Sequence, residues 1–211
     1  IKLENSTLSF TATDSHRLAQ KEIPIDTSRT LSNIVVPGKS LNELNKILDN
    51  SDHPVEISTT QNLILFKTKN VYFLSRLLDG NYPETARLIP TQSKTVIHAQ
   101  TKPLIQTIDR ASLLAKEERN NVVKLVTKDH QTIEIYSHAP EIGHVSEQLT
   151  INSVEGEDLN ISFSAKYMLE ALRAIESDEI TIEFTGAMRP FIIRPANREP
   201  ILQLILPVRT Y

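Results

Sequence analysis

The chain has 211 residues, 39% of them apolar, enough for more than one hydrophobic core. A net charge of −3 gives the whole molecule no basic excess to draw it to nucleic acid, and the lack of cysteine excludes disulfides, thiolate metal sites and thiol nucleophiles. No apolar run approaches the roughly 20 residues that cross a bilayer and no signal-peptide pattern opens the chain, so the expectation is a cytoplasmic protein with no membrane partner. The first residue is Ile1, close to the first strand signal, so residues are expected to be missing upstream.

Apolar and β-branched enrichment broken by turn residues predicts strands at 7–12, 18–25 and 31–36. A helix follows over about 39–49, with Leu41, Leu44, Ile47 and Leu48 on one face. Strands are expected at 55–59, 63–67 and 71–77, then a loop at 79–83 and a linker at 91–94. A second helix from about Lys102 aligns Leu104, Ile108, Ala111 and Ala115, with strands at 122–127, 132–137 and 144–151 behind it. A third from about Ala165 aligns Met168, Leu172 and Ile175, and strands at 180–184, 190–194 and 201–206 follow.

Each helix opens near a lysine, and Lys39, Lys102 and Lys166 recur 63 and then 64 residues apart. Such a period means that one strand–helix–three-strand unit has been reused. Two units make one α+β domain of two helices against antiparallel strands. Residues 95–211 then hold a complete domain, and residues 1–90 a domain short of its first helix. A repeated unit of this kind suits an assembly scaffold better than a single catalytic pocket.

The helices also repeat a charge pattern. Lys39 and Lys46 fall about 20° apart on a helical wheel, Lys166 and Arg173 repeat that spacing, and Lys102 with Arg110 comes close. Cations on successive helices suit a phosphate backbone read without regard to sequence. Lysines on a polar helix face are more often simply solvated, and Glu43 and Glu170, four residues after Lys39 and Lys166, dilute the field. Only the repetition lifts the nucleic-acid reading above that background.

Asp14-Ser15-His16-Arg17 is the one cluster with a chemical look, a hydrolase using Asp14, Ser15 and His16. Adjacent residues of extended backbone point to opposite faces and do not converge as a triad must, so a turn with Asp14 bonded to nearby amides is favoured. His98, His130, His138 and His144 lack metal-ligand spacing, and five glycines give no phosphate cradle. No metal, cofactor or catalytic site is expected.

Thr-Ala-Thr-Asp-Ser-His-Arg-Leu-Ala at 11–19 closely resembles the middle-domain motif of the bacterial sliding clamp family, the β subunit of DNA polymerase III. Val-Val-Pro-Gly-Lys-Ser-Leu at 35–41, Ser-Arg-Leu-Leu-Asp-Gly-Asn-Tyr-Pro at 75–83 and Leu-Ile-Leu-Pro-Val-Arg-Thr-Tyr at 204–211 resemble the same family, in family order. The resemblance covers the whole chain. It implies a non-catalytic processivity factor: two three-domain protomers joined head to tail in a ring, helices around duplex DNA, curved sheets outside. The chain would be most of the middle domain and all of the last.

The resemblance further implies a groove between those domains. It captures short peptides, with glutamine followed by leucine or phenylalanine, from the polymerase III α subunit, the clamp-loader δ subunit and other replication and repair proteins. By motif match the groove residues are Thr13, Ser15, His16, Arg17 and Leu18; Pro83, Arg87 and Leu88; Tyr167; Met188 and Pro190; and Leu204, Ile205, Leu206, Pro207, Val208 and Arg209. Several family members carry glycine where Ser15 stands, and Arg189-Pro190 replaces small polar residues. Lys39, Lys46, Lys102, Arg110, Lys166 and Arg173 would face DNA. Leu113 and Leu114, with Glu141 and Glu147 as acidic partners, would form the contact that closes the homodimeric ring; Leu113 and Leu114 as ordinary core is an equal alternative.

Overall fold

A computed structural model describes every residue except Asn33, Asn50, 116–120, Glu141, Thr210 and Tyr211. Its contacts divide the chain into two units, Ile1–Phe10 with Ile23–Glu84, and Thr11–Glu22 with Thr85–Tyr211.

In the first unit β1 (Lys2–Glu4) turns through Asn5 and Ser6, both left-handed at φ 50° and 58°, into β2 (Thr7–Thr13). Strand β3 is Arg17–Pro24; β2 and β3 contribute residues to both units. Helix α1 (Gly38–Ile47) follows Pro37, whose ring pre-sets a helical entry. Strands β4 (Glu56–Thr59), β5 (Leu63–Lys67) and β6 (Tyr72–Arg76) form an antiparallel meander. Leu44 on α1 is buried with Ile64 and Phe66 on β5, and Leu41, Leu48, Ile57 and Phe73 pack around them. Between the helix and β6 the hydroxyl of buried Ser75 donates to half-buried Ser40 Oγ at 2.9 Å, which satisfies the buried hydroxyl.

Two expectations fail in this unit. None of the described residues of 31–36 lies in a strand; Leu31 makes an isolated bridge to Leu3, Ile34 N–H donates to Ile1 and the carbonyl of Val35 accepts from Leu78. Ile47 is half exposed, because it projects about 100° away from Leu48 around the helix.

The second unit adds a short 3₁₀ turn (Ala86–Leu88), β7 (Thr95–Gln100), α2 (Thr101–Ala115), β8 (Val122–Thr127), β9 (Thr132–Ala139) and β10 (Gly143–Thr150). There follow β11 (Ser153–Gly156), β12 (Asn160–Ser164), α3 (Ala165–Ile175), β13 (Glu179–Phe184), β14 (Phe191–Pro195) and β15 (Ile201–Ile205). The expected α+β fold of duplicated units is present. The halves exchange strands: β7 leads into α2 but pairs with β13, which follows α3, and β12 leads into α3 but pairs with β8, which follows α2. One sheet runs β10-β9-β8-β12, and the other β3-β15-β14-β13-β7-β11, all antiparallel.

The common core lies between these sheets and the two helices. Leu104, Ile108, Ala111 and Ala115 of α2 and Met168, Leu172 and Ile175 of α3 are buried there, as their spacing predicts. Ile97, Ile182, Ile193 and Ile205 face them from alternate positions of the larger sheet. Lys94, at the end of the expected linker, is bonded into that sheet: its N–H donates to Phe184 and its carbonyl accepts from Glu157. Strand β11 escapes sequence reading because its four residues, Ser-Val-Glu-Gly, offer one buried side chain.

Candidate functional site

The far face of the larger sheet, away from the helices, carries a second apolar cluster. Leu18 on β3, Leu202 and Leu204 on β15 and Ile192 on β14 are buried together, with Ile89 and Leu206 packed against them. Leu18 lies opposite Leu204, and Leu204 opposite Ile192, so three side chains form a row across three strands.

The turn before Leu18 is held by its own side chains. Asp14 Oδ1 accepts from the N–H groups of His16 and Arg17, each at 3.1 Å, and Oδ2 accepts from Arg17 Nε at 2.9 Å. Thr13 Oγ1 donates to the Arg17 carbonyl at 2.7 Å, and Ser15 sits in the left-handed region at φ 73°. A glycine adopts that conformation without strain, which gives the Ser15 difference a physical meaning. Partial burial pushes the Asp14 carboxyl up, but the Arg17 side chain and the two amides outweigh it and hold the group below its ordinary value. The bonds of Asp14 thus run to main chain and to Arg17, leaving no Asp–His–Ser relay of the kind a hydrolase needs.

Helix α3 completes the site. Arg17 Cζ lies 4.6 Å from the centroid of the Tyr167 ring, the His16 ring stacks on the same tyrosine at 6.1 Å, and Arg17 Nη1 donates to Glu170. Burial opposes the Arg17 charge, while Glu170 and Asp14 raise its pKa further. Glu170, four residues after Lys166 on the helix, turns to Arg17 on the neighbouring hairpin. The C-terminal strand is tied in by Leu206 N–H to the His16 carbonyl at 3.0 Å and Val208 N–H to that of Ser162 at 2.8 Å.

Six of the seventeen expected groove residues come together on one surface of the second unit: His16, Arg17, Leu18, Tyr167, Leu204 and Leu206. Leu88 and Met188 are exposed, Pro190 is half-buried, and Thr185 Oγ1 donates to its carbonyl. Pro207 and Val208 are half-buried, and Arg87 and Arg209 exposed. Ile205 is a correction: strand alternation turns it to the helix-side core, where it is fully buried and lines nothing. Pro83 belongs to the first unit. Sequence reading missed Ile89, Ile192, Leu202 and Glu170; β14 and β15 are apolar nearly throughout, so no alternation marks which side chains face the cluster.

All six helix cations are exposed. Lys39, Lys102 and Lys166 make no ion pair with any described residue. Lys46 binds Glu43 at 2.7 Å, so that glutamate serves Lys46 rather than Lys39, and Arg173 lies 3.8 Å from Asp109 on α2. Arg110 is bonded to Glu147 on β10, which also accepts from Thr107; Arg110 holds the Glu147 carboxyl below its ordinary value. One residue assigned to DNA and one assigned to the ring contact thus satisfy each other. Leu113 is exposed and Leu114 half-buried at the end of α2, against the core alternative for Leu113, and Glu141 lies outside the described residues.

Comparison with known proteins agrees with this architecture. The family model for the DNA polymerase III beta subunit, central domain, matches residues 1–84, and that for its C-terminal domain matches 86–209. Over all 211 residues the chain is 59% identical to the beta sliding clamp of Bacillus subtilis (strain 168), and over 209 residues 46% identical to that of Staphylococcus epidermidis. A crystal structure of the Bacillus subtilis DNA polymerase sliding clamp matches with a TM-score of 0.94, covering 100% of this chain and 56% of that one. The Streptococcus pneumoniae beta chain, 42% identical, matches at 0.92 over 99% and 56%. The chain belongs to the DNA polymerase III beta subunit family and spans a little over half the length of these relatives.

Proposed function

We propose that the chain is the greater part of a sliding clamp of bacterial DNA replication, a cytoplasmic and non-catalytic processivity factor. In this reading residues 1–90 form most of the middle domain and 95–211 the last domain, an assignment supported by the matched ranges. The parent protein closes as a homodimeric ring around duplex DNA, with Leu113, Leu114 and Glu141 at the contact and Lys39, Lys102 and Lys166 turned to phosphate. Arg110, Lys46 and Arg173 act there only by trading their carboxylate partners for phosphate oxygens.

The observation that carries the tethering role is the row Leu18–Leu204–Ile192 beside the Arg17–Tyr167 stack. It offers an apolar floor and oriented donors on one surface, as an extended peptide with leucine or phenylalanine anchors needs. Thr13, Ser15, Arg87, Leu88, Met188, Pro190, Leu206, Pro207, Val208 and Arg209 form its walls, and the membership of Pro83 rests on the resemblance. Exposed Met188 suits a wall that accepts varied sequences. The partners are peptides of the polymerase III α subunit, the clamp-loader δ subunit and other replication and repair proteins.

Encirclement is tested on the full-length parent. Loaded onto nicked circular duplex DNA, it is expected to stay bound through gel filtration and to be lost when the circle is cut, whereas a scaffold without a nucleic-acid role is retained on neither.

A further inference from the structure

We infer that the partner chain filling this groove continues past its anchor residues across a polar shelf on the same sheet face, and that the shelf sets affinity among partners. The inference rests on the groove reading and extends it. The sheet face carries two parallel rows. The first is Leu18, Leu204 and Ile192, the apolar floor already described. The second lies two residues further along each strand: Gln20 opposite Leu202 on β3 and β15, then Arg194, Thr181 and His98 in register across β14, β13 and β7.

A cleft of about 710 Å³ runs along this second row, every lining residue belonging to the second unit. Leu202 and Ile89 line it, and both belong to the apolar cluster of Leu18, so cleft and groove share a floor. Beyond that floor the wall turns polar: Thr181 Oγ1 and His98 Nδ1 are 3.1 Å apart, and Arg194 Nε sits 3.4 Å from Glu183. From Leu18 on β3 to His98 on β7 is four strand spacings, about 19 Å, which six extended residues cover at about 3.3 Å each. The lining carries both signs, Glu22, Glu183 and Glu199 with Arg194 and Arg198, so an uncharged polar segment fits it better than an acidic or basic tail.

Three fluorescein-labelled peptides test this against the 211-residue chain by anisotropy. One carries only the glutamine–leucine–phenylalanine anchors; the others add six serine, asparagine and alanine residues before or after them. One extended peptide is expected to bind about tenfold tighter than the anchor peptide. Arg194→Ala and His98→Ala, checked for unchanged thermal unfolding, should return it to the anchor affinity and leave the anchor peptide within about twofold. Thr181→Val, nearly isosteric, should act in the same direction. Anchor binding with no gain from either extension overturns the shelf and leaves the groove standing. Equal losses for all three peptides in the Arg194 variant also overturn it. No binding of the anchor peptide removes the groove and the shelf together.

Discussion

Leu18→Ala is expected to destabilise the second unit by about 2–5 kcal/mol, the range for emptying a buried leucine site. Leu18 is 1% exposed, and its neighbours Leu204 and Ile192 are fixed in register on paired strands, so they have little freedom to collapse into the void. The same change removes the floor on which a partner leucine or phenylalanine would rest, so peptide affinity should fall at least tenfold, about 1.4 kcal/mol, at a temperature where the variant is folded. Met188→Ala separates the two effects. Met188 is 56% exposed, so its truncation should leave stability within about 0.5 kcal/mol while still weakening the peptide. Urea unfolding and anisotropy on both variants check this, and a Leu18 variant with wild-type stability would place that side chain outside the cluster.

Gly156→Ala should cost more than about 3 kcal/mol, by a route that involves no apolar packing. Gly156 ends β11 at φ +96°, a conformation that disfavours any side chain, and an added Cβ would lie 1.9 Å from the Lys94 carbonyl oxygen. That oxygen cannot give way cheaply. It accepts the Glu157 N–H at 3.0 Å, while the Lys94 N–H is bonded to Phe184 and Thr95 Oγ1 donates to the Glu157 carbonyl. The strand must therefore lift from β7 or the sheet edge must shift. Chemical denaturation should show early loss of the second unit, and a change below about 1 kcal/mol would contradict this geometry.

The helices were the most legible part of the chain, because lysine-led amphipathic segments at a fixed period identify themselves. Their buried positions, Leu104, Ile108, Met168 and Leu172 among them, follow from spacing alone. The strand exchange between halves was not legible, since pairing β7 with β13 joins residues about eighty apart and leaves no local signal. Residues 31–36 have strand composition, but their described members divide their bonds between β1 and Leu78. At the site, the motif at 11–19 located the turn, and Asp14 capping the amides is what its residue types predict. That Glu170 would reach Arg17 rather than Lys166 depends on tertiary placement of α3 beside the hairpin. Ile205 shares the matched segment 204–209, yet alternation along a strand assigns Leu204 and Ile205 to opposite faces.

The decisive measurement is a titration of the 211-residue chain into a fluorescent peptide bearing glutamine, leucine and phenylalanine. The account predicts saturable binding in the micromolar range, about −8 kcal/mol, weakened at least tenfold by Leu18→Ala. No binding at millimolar peptide, with cooperative unfolding showing the protein intact, would contradict it.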